Sequence, residues 1–340
     1  MGTTDFAKYL SAFLTKYLAG ERNYSENTIL AYKDTFIQFI SFMKDIKNVE
    51  VQKLTLECIN KSVVIDFLEW IQKNRQCSNA TRNYRLAALR SFFIYVQYEN
   101  PERMDQWQNI LSIKVKKHEK KSINYLTTEG IKLLFEQPDL RTKNGRRNLT
   151  LLTLMYDSGA RVQEIIDLTP SSIRLDNPNT IKLIGKGRKS RIVPLQNEQT
   201  AFLKKYMKEN KLFEPIAHQY PLFFNNRREK LTRAGIAYIL NTYANLARKE
   251  NPSLIPEKIS CHSLRHSKAM HLLQAGVNLV YIRDILGHVS VQTTDIYART
   301  DSKQKREALE KAYEDLNPID KPKSWERDSN LLEWLRNLNN

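Results

Sequence analysis

The side chains best suited to chemistry are basic or phenolic, and they lie in five short stretches between positions 161 and 297. Arg161 stands in Ser158-Gly159-Ala160-Arg161-Val162-Gln163-Glu164. Val162, Ile165 and Ile166 make the apolar stripe of a helix that starts here. That leaves Arg161 and Glu164, three apart, on another face, where the carboxylate can hold the guanidinium in place. Lys186 occupies the tip of Gly185-Lys186-Gly187-Arg188-Lys189-Ser190, whose glycines permit a tight turn and close approach to another backbone. In His262-Ser263-Leu264-Arg265-His266, His262 and Arg265 are three apart and can point at one target if a helix begins there. His288 follows Gly287, where one helix stops and Ser290 caps the next. Tyr297, in Thr293-Thr294-Asp295-Ile296-Tyr297-Ala298, is one of 16 tyrosines. Taken singly, each has an ordinary reading: a surface ion pair, a solubilising lysine, a histidine after a helix stop. The order and spacing of the whole set are what carry an argument.

Two competing chemistries fall away. His262 and His266 have the spacing of a zinc protease helix, but that chemistry needs Glu at the second position and Ser263 occupies it. Cys261 beside His262 does not make a nucleophile and base pair, because adjacent residues point apart. Cys58, Cys77 and Cys261 are the only three cysteines, far apart and without a CxxC pair, so free thiols are expected, with neither a disulfide framework nor a metal site. No cofactor is implied.

The elements that must position these residues are mostly helices. Residues 5 to 18 put Phe6, Tyr9, Leu10, Phe13, Leu14 and Leu18 on one helical face, and Ser25 to Thr28 cap a second helix carrying Ile29, Tyr32, Phe36, Phe39 and Phe42. Further helices are expected over 60–73 and 79–98, the latter beginning with Ser78-Asn79 as its cap. It also carries Arg82, Arg85 and Arg90 on one side, a spacing that can follow a phosphate backbone. After a basic stretch from Lys114 to Lys121 without apolar periodicity, Leu126-Thr127-Thr128-Glu129 caps another helix, and Asn148 to Tyr156 forms a strongly apolar one. Two short apolar runs, 181–184 and 192–195, flank the Lys186 turn and predict a β-hairpin with a basic tip. Helices resume at 197–209, 231–249, 263–275, 278–286, 291–299 and 302–313, and Ser324 to Leu338 is amphipathic. The expected fold class is therefore mainly α, with a small all-helical domain over 1–113, a basic linker over 114–122, and an α-rich domain over 123–340 that holds a small β-hairpin or sheet and ends in a tail segment at about 324–338.

With 54 Lys and Arg against 37 Asp and Glu, the 340-residue chain carries a net charge of +17 and favours a polyanionic partner. There is no run of about 18 apolar residues and no cleavable signal, so a soluble cytoplasmic protein without a membrane partner is expected.

Arg161, Lys186, His262, Arg265, His288 and Tyr297 resemble, in order and local context, the active-site signature of the tyrosine recombinase (phage integrase) family. The resemblance covers essentially the whole chain. Its specific part is Gly-Ala-Arg-Val-Gln-Glu, Gly-Lys-Gly-Arg-Lys-Ser-Arg-Ile-Val-Pro-Leu, His-Ser-Leu-Arg-His, Leu-Gly-His and Thr-Thr-Asp-Ile-Tyr. The first domain, with Asn27-Thr28 and Thr81-Arg82-Asn83 through Phe92-Phe93, is similar to the family's core-binding domain, and the expected type is a simple two-domain member without an arm-binding domain.

The resemblance implies a metal-free, ATP-independent site-specific recombinase. Tyr297 would attack a phosphodiester and form a 3′-phosphotyrosine, and Arg161, Arg265 and His288 would neutralise the non-bridging oxygens, with Glu164 in support. His262 would be the general base and Lys186 the acid for the leaving 5′ oxygen. It implies a nucleoid-associated homotetramer on two double-stranded sites with inverted-repeat cores, the tail docking into a neighbour. For DNA contacts, Arg82, Arg85, Arg90, Arg188, Lys189, Arg227, Arg228 and Arg233 are the candidates. Integration or excision of a mobile element is the favoured role, with dimer resolution as the alternative. A type IB topoisomerase shares the chemistry but pairs no sites. A non-catalytic DNA-binding protein would satisfy the charge but gives no reason for Tyr297 and two arginines at these spacings.

Overall fold

The computed structural model describes residues 3–117, 123–185, 187 and 189–300, with side chains described as far as 298. The chain divides into two compact units, Met1–Lys121 and Ser122–Asn340.

The first unit is all-helical: α1 (Asp5–Ala12), a π-helical segment (Phe13–Glu21), α2 (Glu26–Asp45), α3 (Lys61–Arg75), α4 (Asn79–Glu99) and α5 (Met104–Leu111). The face expected over residues 5–18 is not one continuous α-helix. From Phe13 the turn widens, and the Arg22 amide donates five residues back to the Tyr17 carbonyl at 2.9 Å. The wider turn aligns residues five apart, which lets Phe13 and Leu18 both reach full burial. Phe13 then meets Phe36 and Phe92 edge-on at 6.2 and 5.4 Å. Phe39, Phe42, Phe67, Phe93 and Trp107 complete this aromatic core. Helix α5, which the sequence pattern did not announce, exists to close it: Trp107 and Ile110 are fully buried, and the indole N–H donates to Asn100 O at 3.0 Å.

Beyond α5 the chain is tied to α4. The Asn83 carboxamide both donates to Lys116 O (2.8 Å) and accepts from its amide (3.0 Å). Asn79 donates to Lys117 O at 2.9 Å. The start of the basic stretch, residues 114–117, is thus fastened to α4 by these side chains.

The second unit contains α6 (Thr128–Glu136), α7 (Lys143–Asp157), α8 (Val162–Ile166), β1 (Ile173–Arg174), β2 (Thr180–Ile184), β3 (Ser190–Pro194), α9 (Asn197–Glu209), α10 (Arg233–Glu250), α11 (Cys261–Gln274), α12 (Leu279–Leu286) and α13 (Val291–Thr300). The three strands form an antiparallel sheet in the order β1-β2-β3. Ile181 faces Val193 and Leu183 faces Arg191. Ile181, Leu183 and Val193 are buried, so Arg191 also lies on the inward face of the hairpin. Strand β1, only two residues long, is too short for any periodicity to reveal. Core residues of α6 to α11 and the sheet pack in one cluster, and α11 to α13 build a second around Met270, Leu273, Ile282, Leu286 and Tyr297. The expected helix at 302–313 and the tail at 324–338 lie outside the described residues, as do Lys186 and Arg188.

Candidate active site

Arg161 is the N-cap of α8, with extended backbone angles (φ −73°, ψ 148°) that turn the chain into the helix. Three residues on, Glu164 folds back so that its Oε2 accepts the Arg161 amide at 2.8 Å while its Oε1 accepts Arg161 Nη1 at 2.9 Å. The other guanidinium nitrogen, Nη2, donates to Gly287 O at 3.2 Å. Arg265, on the first turns of α11, is 4% exposed. Its Nη1 donates to Gly159 O at 2.6 Å and its Nη2 to Leu286 O at 2.7 Å.

A third arginine, which sequence reasoning passed over, completes the cluster. Arg191 on β3 grips Glu164 with both forks, Nη1 to Oε1 at 2.9 Å and Nη2 to Oε2 at 2.7 Å, and its Nε donates to Ile285 O at 2.8 Å. Ile285, Leu286 and Gly287 are thus three consecutive carbonyls at the end of α12, each accepting from a different arginine. Helix ends leave such carbonyls without intrahelical partners, and the negative end of the helix dipole favours cations.

The turn that places them depends on Gly287, at φ +64°, with the His288 amide donating to Arg283 O at 3.1 Å. A Cβ there would stand 2.9 Å from Arg191 Cδ and Nη1. Gly287→Ala is therefore expected to cost about 1–2 kcal/mol in backbone strain and to displace Arg191 as well. Urea unfolding checks this, and a midpoint equal to wild type would refute it.

His288 leaves that turn with its Nδ1 on Thr294 Oγ1 at 2.9 Å and its ring stacked on Tyr297, centroids 6.4 Å apart and planes 10° apart. Tyr297 on α13 is 1% exposed. Its hydroxyl meets His266 Nδ1 at 2.9 Å. The structure thus brings His266, not His262, to the phenol. His262 is exposed one turn earlier on α11, its ring 6.4 Å from that of His266. The helical spacing that raised the zinc reading could have flagged His266 as sharing a face with His262, but nothing local points from it to a tyrosine 31 residues on. Among the described residues no three His, Cys, Asp or Glu side chains are grouped as a metal site.

The charges follow from burial and neighbours. Burial alone would raise the Glu164 carboxyl, but Arg191 and then Arg161 hold it below the usual range. Arg265 is lowered to about 10 by burial and by Arg161 and Arg191, and stays charged at neutral pH. Burial raises the Tyr297 phenol, against the pull of Arg265 and Arg161. The part of the His262 ring that is covered, and then Arg265 and Arg161, also lower its pKa.

His288 is pushed down to about 4, by burial first and then Arg265, Arg161 and Arg191. His266 also falls to about 4, by burial and then His262 and Arg265. Both rings protonate near pH 6.5 once unfolded, so the unfolded chain takes up protons first as pH falls. The stability contributed by the neutral rings is complete above about pH 6.5 and is lost as pH drops toward 4. Between pH 7 and pH 5 the loss is expected to be roughly 1–2 kcal/mol per ring after allowance for partial exposure. Urea titrations at the two pH values measure it, and His288→Asn should shrink the difference. An unchanged difference would assign the acid sensitivity elsewhere.

The candidate DNA-contact residues fall into two groups. Arg82 is 5% exposed and turned inward, its Nη1 on Lys114 O at 3.3 Å and Asn83 Oδ1 at 3.2 Å. Arg85 pairs with Asp34 and Thr35, and Arg90 donates to Leu111 O. In the second unit Lys189, Arg227 and Arg228 are exposed. Arg228 lies over the Phe224 ring at 5.4 Å. Arg233 donates to Gln163 Oε1 at 2.8 Å.

A helical scaffold that gathers two arginines and a histidine beside a tyrosine defines a protein of the tyrosine-dependent DNA strand-transfer class, and comparison with known proteins makes it definite. Residues 124–304 match the model of the phage integrase family and residues 11–100 that of the phage integrase N-terminal SAM-like domain. The integrase/recombinase y4rC of Sinorhizobium fredii is 34% identical over 98% of this chain and 98% of its own length. The tyrosine recombinase XerD of Listeria monocytogenes is 32% identical over 83% of this chain and 90% of its own. The crystal structure of the XerH site-specific recombinase bound to a palindromic difH substrate superposes with a TM-score of 0.68, at 26% identity, over 88% of this chain and 84% of that one.

The chain belongs to the phage integrase family and is a tyrosine recombinase, an enzyme of site-specific DNA strand transfer.

Proposed function

We propose that Tyr297 is the nucleophile that cleaves DNA to a 3′-phosphotyrosine, with Arg161, Arg265 and His288 binding the scissile phosphate. The observation that carries this is the convergence of Arg161 and Arg265 on the carbonyls of residues 286 and 287, one residue before His288, whose ring lies against Tyr297. A phosphodiester attacked by a phenolate gathers negative charge at phosphorus, and fixed guanidiniums stabilise that charge without reorganising. Tyr297 is buried in the pose described and must swing out to reach a phosphate. His262, exposed and kept neutral at working pH, is the general base in this reading. Lys186, between β2 and β3 in the sequence, is the acid for the leaving 5′ oxygen in this reading. Glu164 supports the clamp by holding Arg161. Because the phosphotyrosine conserves the phosphodiester energy, a 5′ hydroxyl from another strand can reseal it.

The working assembly in this reading is a homotetramer acting in the cytoplasm on two duplexes with inverted-repeat sites. Arg227, Arg228, Lys189 and Arg188 are offered as phosphate contacts. Movement of a mobile element is the role we favour over dimer resolution. The test is to express the protein in its own host, denature it, recover protein-linked DNA and sequence the ends. Covalent DNA at a few inverted repeats flanking a movable segment supports the full reading. Ends at one chromosomal site would replace element movement with dimer resolution. Binding without any covalent DNA would overturn the catalytic assignment.

A further inference from the structure

We propose that Arg191 is a positioning residue of the cleavage site: by saturating Glu164 it prevents that carboxylate from drawing Arg161 out of the phosphate clamp. The proposal rests on the assignment of Arg161 as a phosphate ligand. Glu164 is 3% exposed at its side chain, and each of its oxygens accepts two hydrogen bonds: Oε1 from Arg161 Nη1 and Arg191 Nη1, Oε2 from the Arg161 amide and Arg191 Nη2. The carboxylate has no further acceptor position to fill. The two-pronged pair is the one with Arg191, whose side chain is 11% exposed. Arg161 gives Glu164 a single guanidinium nitrogen and keeps 35% of its side chain in solvent.

A buried carboxylate takes a guanidinium through both forks where it can. With Arg191 absent, Arg161 is the guanidinium already in contact and would supply the second fork. Its Nη2 would then leave Gly287 O, and its remaining donors would turn from solvent toward Glu164. The charge of the group formed by Arg161, Arg191, Arg265 and Glu164 would also fall by one unit where the phosphate binds.

Arg191 further joins the hairpin to the site. It reaches from β3 to Ile285 O, and Gly185 at the foot of the same hairpin lies so close to Glu164 that a Cβ would stand 3.0 Å from Oε1. Strands β2 and β3 are therefore both held at the carboxylate that holds Arg161.

The test uses full-length protein and a nicked duplex carrying the cleavage site recovered from the host. Single-turnover formation of covalent DNA and duplex affinity are measured together. Wild type must form the adduct; if it does not, the assignment of the nucleophile fails, independently of Arg191. Arg191→Ala is expected to slow cleavage by about 100-fold while affinity stays within about threefold, since one phosphate ligand among many contacts dominates neither binding nor salt dependence. Adding Glu164→Gln to Arg191→Ala should recover about tenfold, because a neutral amide no longer captures Arg161. Relief of a buried charge alone would raise the urea midpoint of the double variant above that of Arg191→Ala, whereas release of Arg161 shows as recovered cleavage at equal fraction folded. Arg191→Lys, which keeps the charge but only one prong, serves if Arg191→Ala does not fold and should cleave about tenfold slower than wild type. Cleavage by Arg191→Lys at the wild-type rate, or a double variant no faster than foldable Arg191→Ala, overturns the proposal.

Discussion

Tyr297→Phe is expected to abolish covalent protein–DNA complexes, a loss of at least about 10⁴-fold in cleavage, while duplex binding stays within about twofold of wild type. The separation is possible because only one oxygen is removed. The ring packs in a cluster with Met270, Leu273, Ile282 and Leu286, and phenylalanine fills that volume. The hydroxyl's one described partner is His266 Nδ1 at 2.9 Å, which is left without it at a cost of about 1 kcal/mol. Thermal unfolding should register that small decrement, and a denaturing gel with labelled DNA should show no protease-sensitive adduct. An adduct persisting in the Phe variant would put the nucleophile on another side chain.

Arg265→Ala should lose both activity and stability. Its guanidinium occupies the two carbonyls of Gly159 and Leu286 at 2.6 and 2.7 Å, behind a surface that is 4% exposed. Truncation leaves both acceptors without their partner and opens a void between α7, α11 and α12, a cost of roughly 2–4 kcal/mol. It also removes a fixed charge from the proposed phosphate site, worth about 10²–10³ in rate. Arg265→Lys separates the two contributions. Lysine restores a charge but cannot reach two carbonyls and a phosphate together, so stability should recover further than cleavage does. Cleavage by the lysine variant within a few-fold of wild type would show that charge alone suffices there.

The helices were readable because their apolar residues recur with helical period and their ends carry caps: Ser78 does accept the Thr81 amide, and Thr127 that of Gly130. The hairpin was readable from two apolar runs around a glycine turn. Other features have no local signature. The π-helical turn after Ala12 arises because tertiary packing asks Phe13 and Leu18 to share a face, which neither residue announces. Arg191 reads as one more charge in a basic turn, and only the register of β3 reveals that it lies on the buried side. Arg82 looked like part of an exposed basic row with Arg85 and Arg90, but the path of the chain after α5 covers it. In each case the missing information is a partner across many residues of sequence, which periodicity does not encode. The chemistry was more legible than the contacts, since residue type at a motif position is local whereas the carbonyl a guanidinium finds is not.

The three successive carbonyls at the end of α12 make the arginine cluster a mechanical unit. Arg161, Arg191 and Arg265 arrive from three separate elements, yet all three are anchored to the same short turn, and His288 is the next residue along it. The three guanidiniums therefore share one anchor, and a displacement of that helix end bears on all of them and on the histidine that follows.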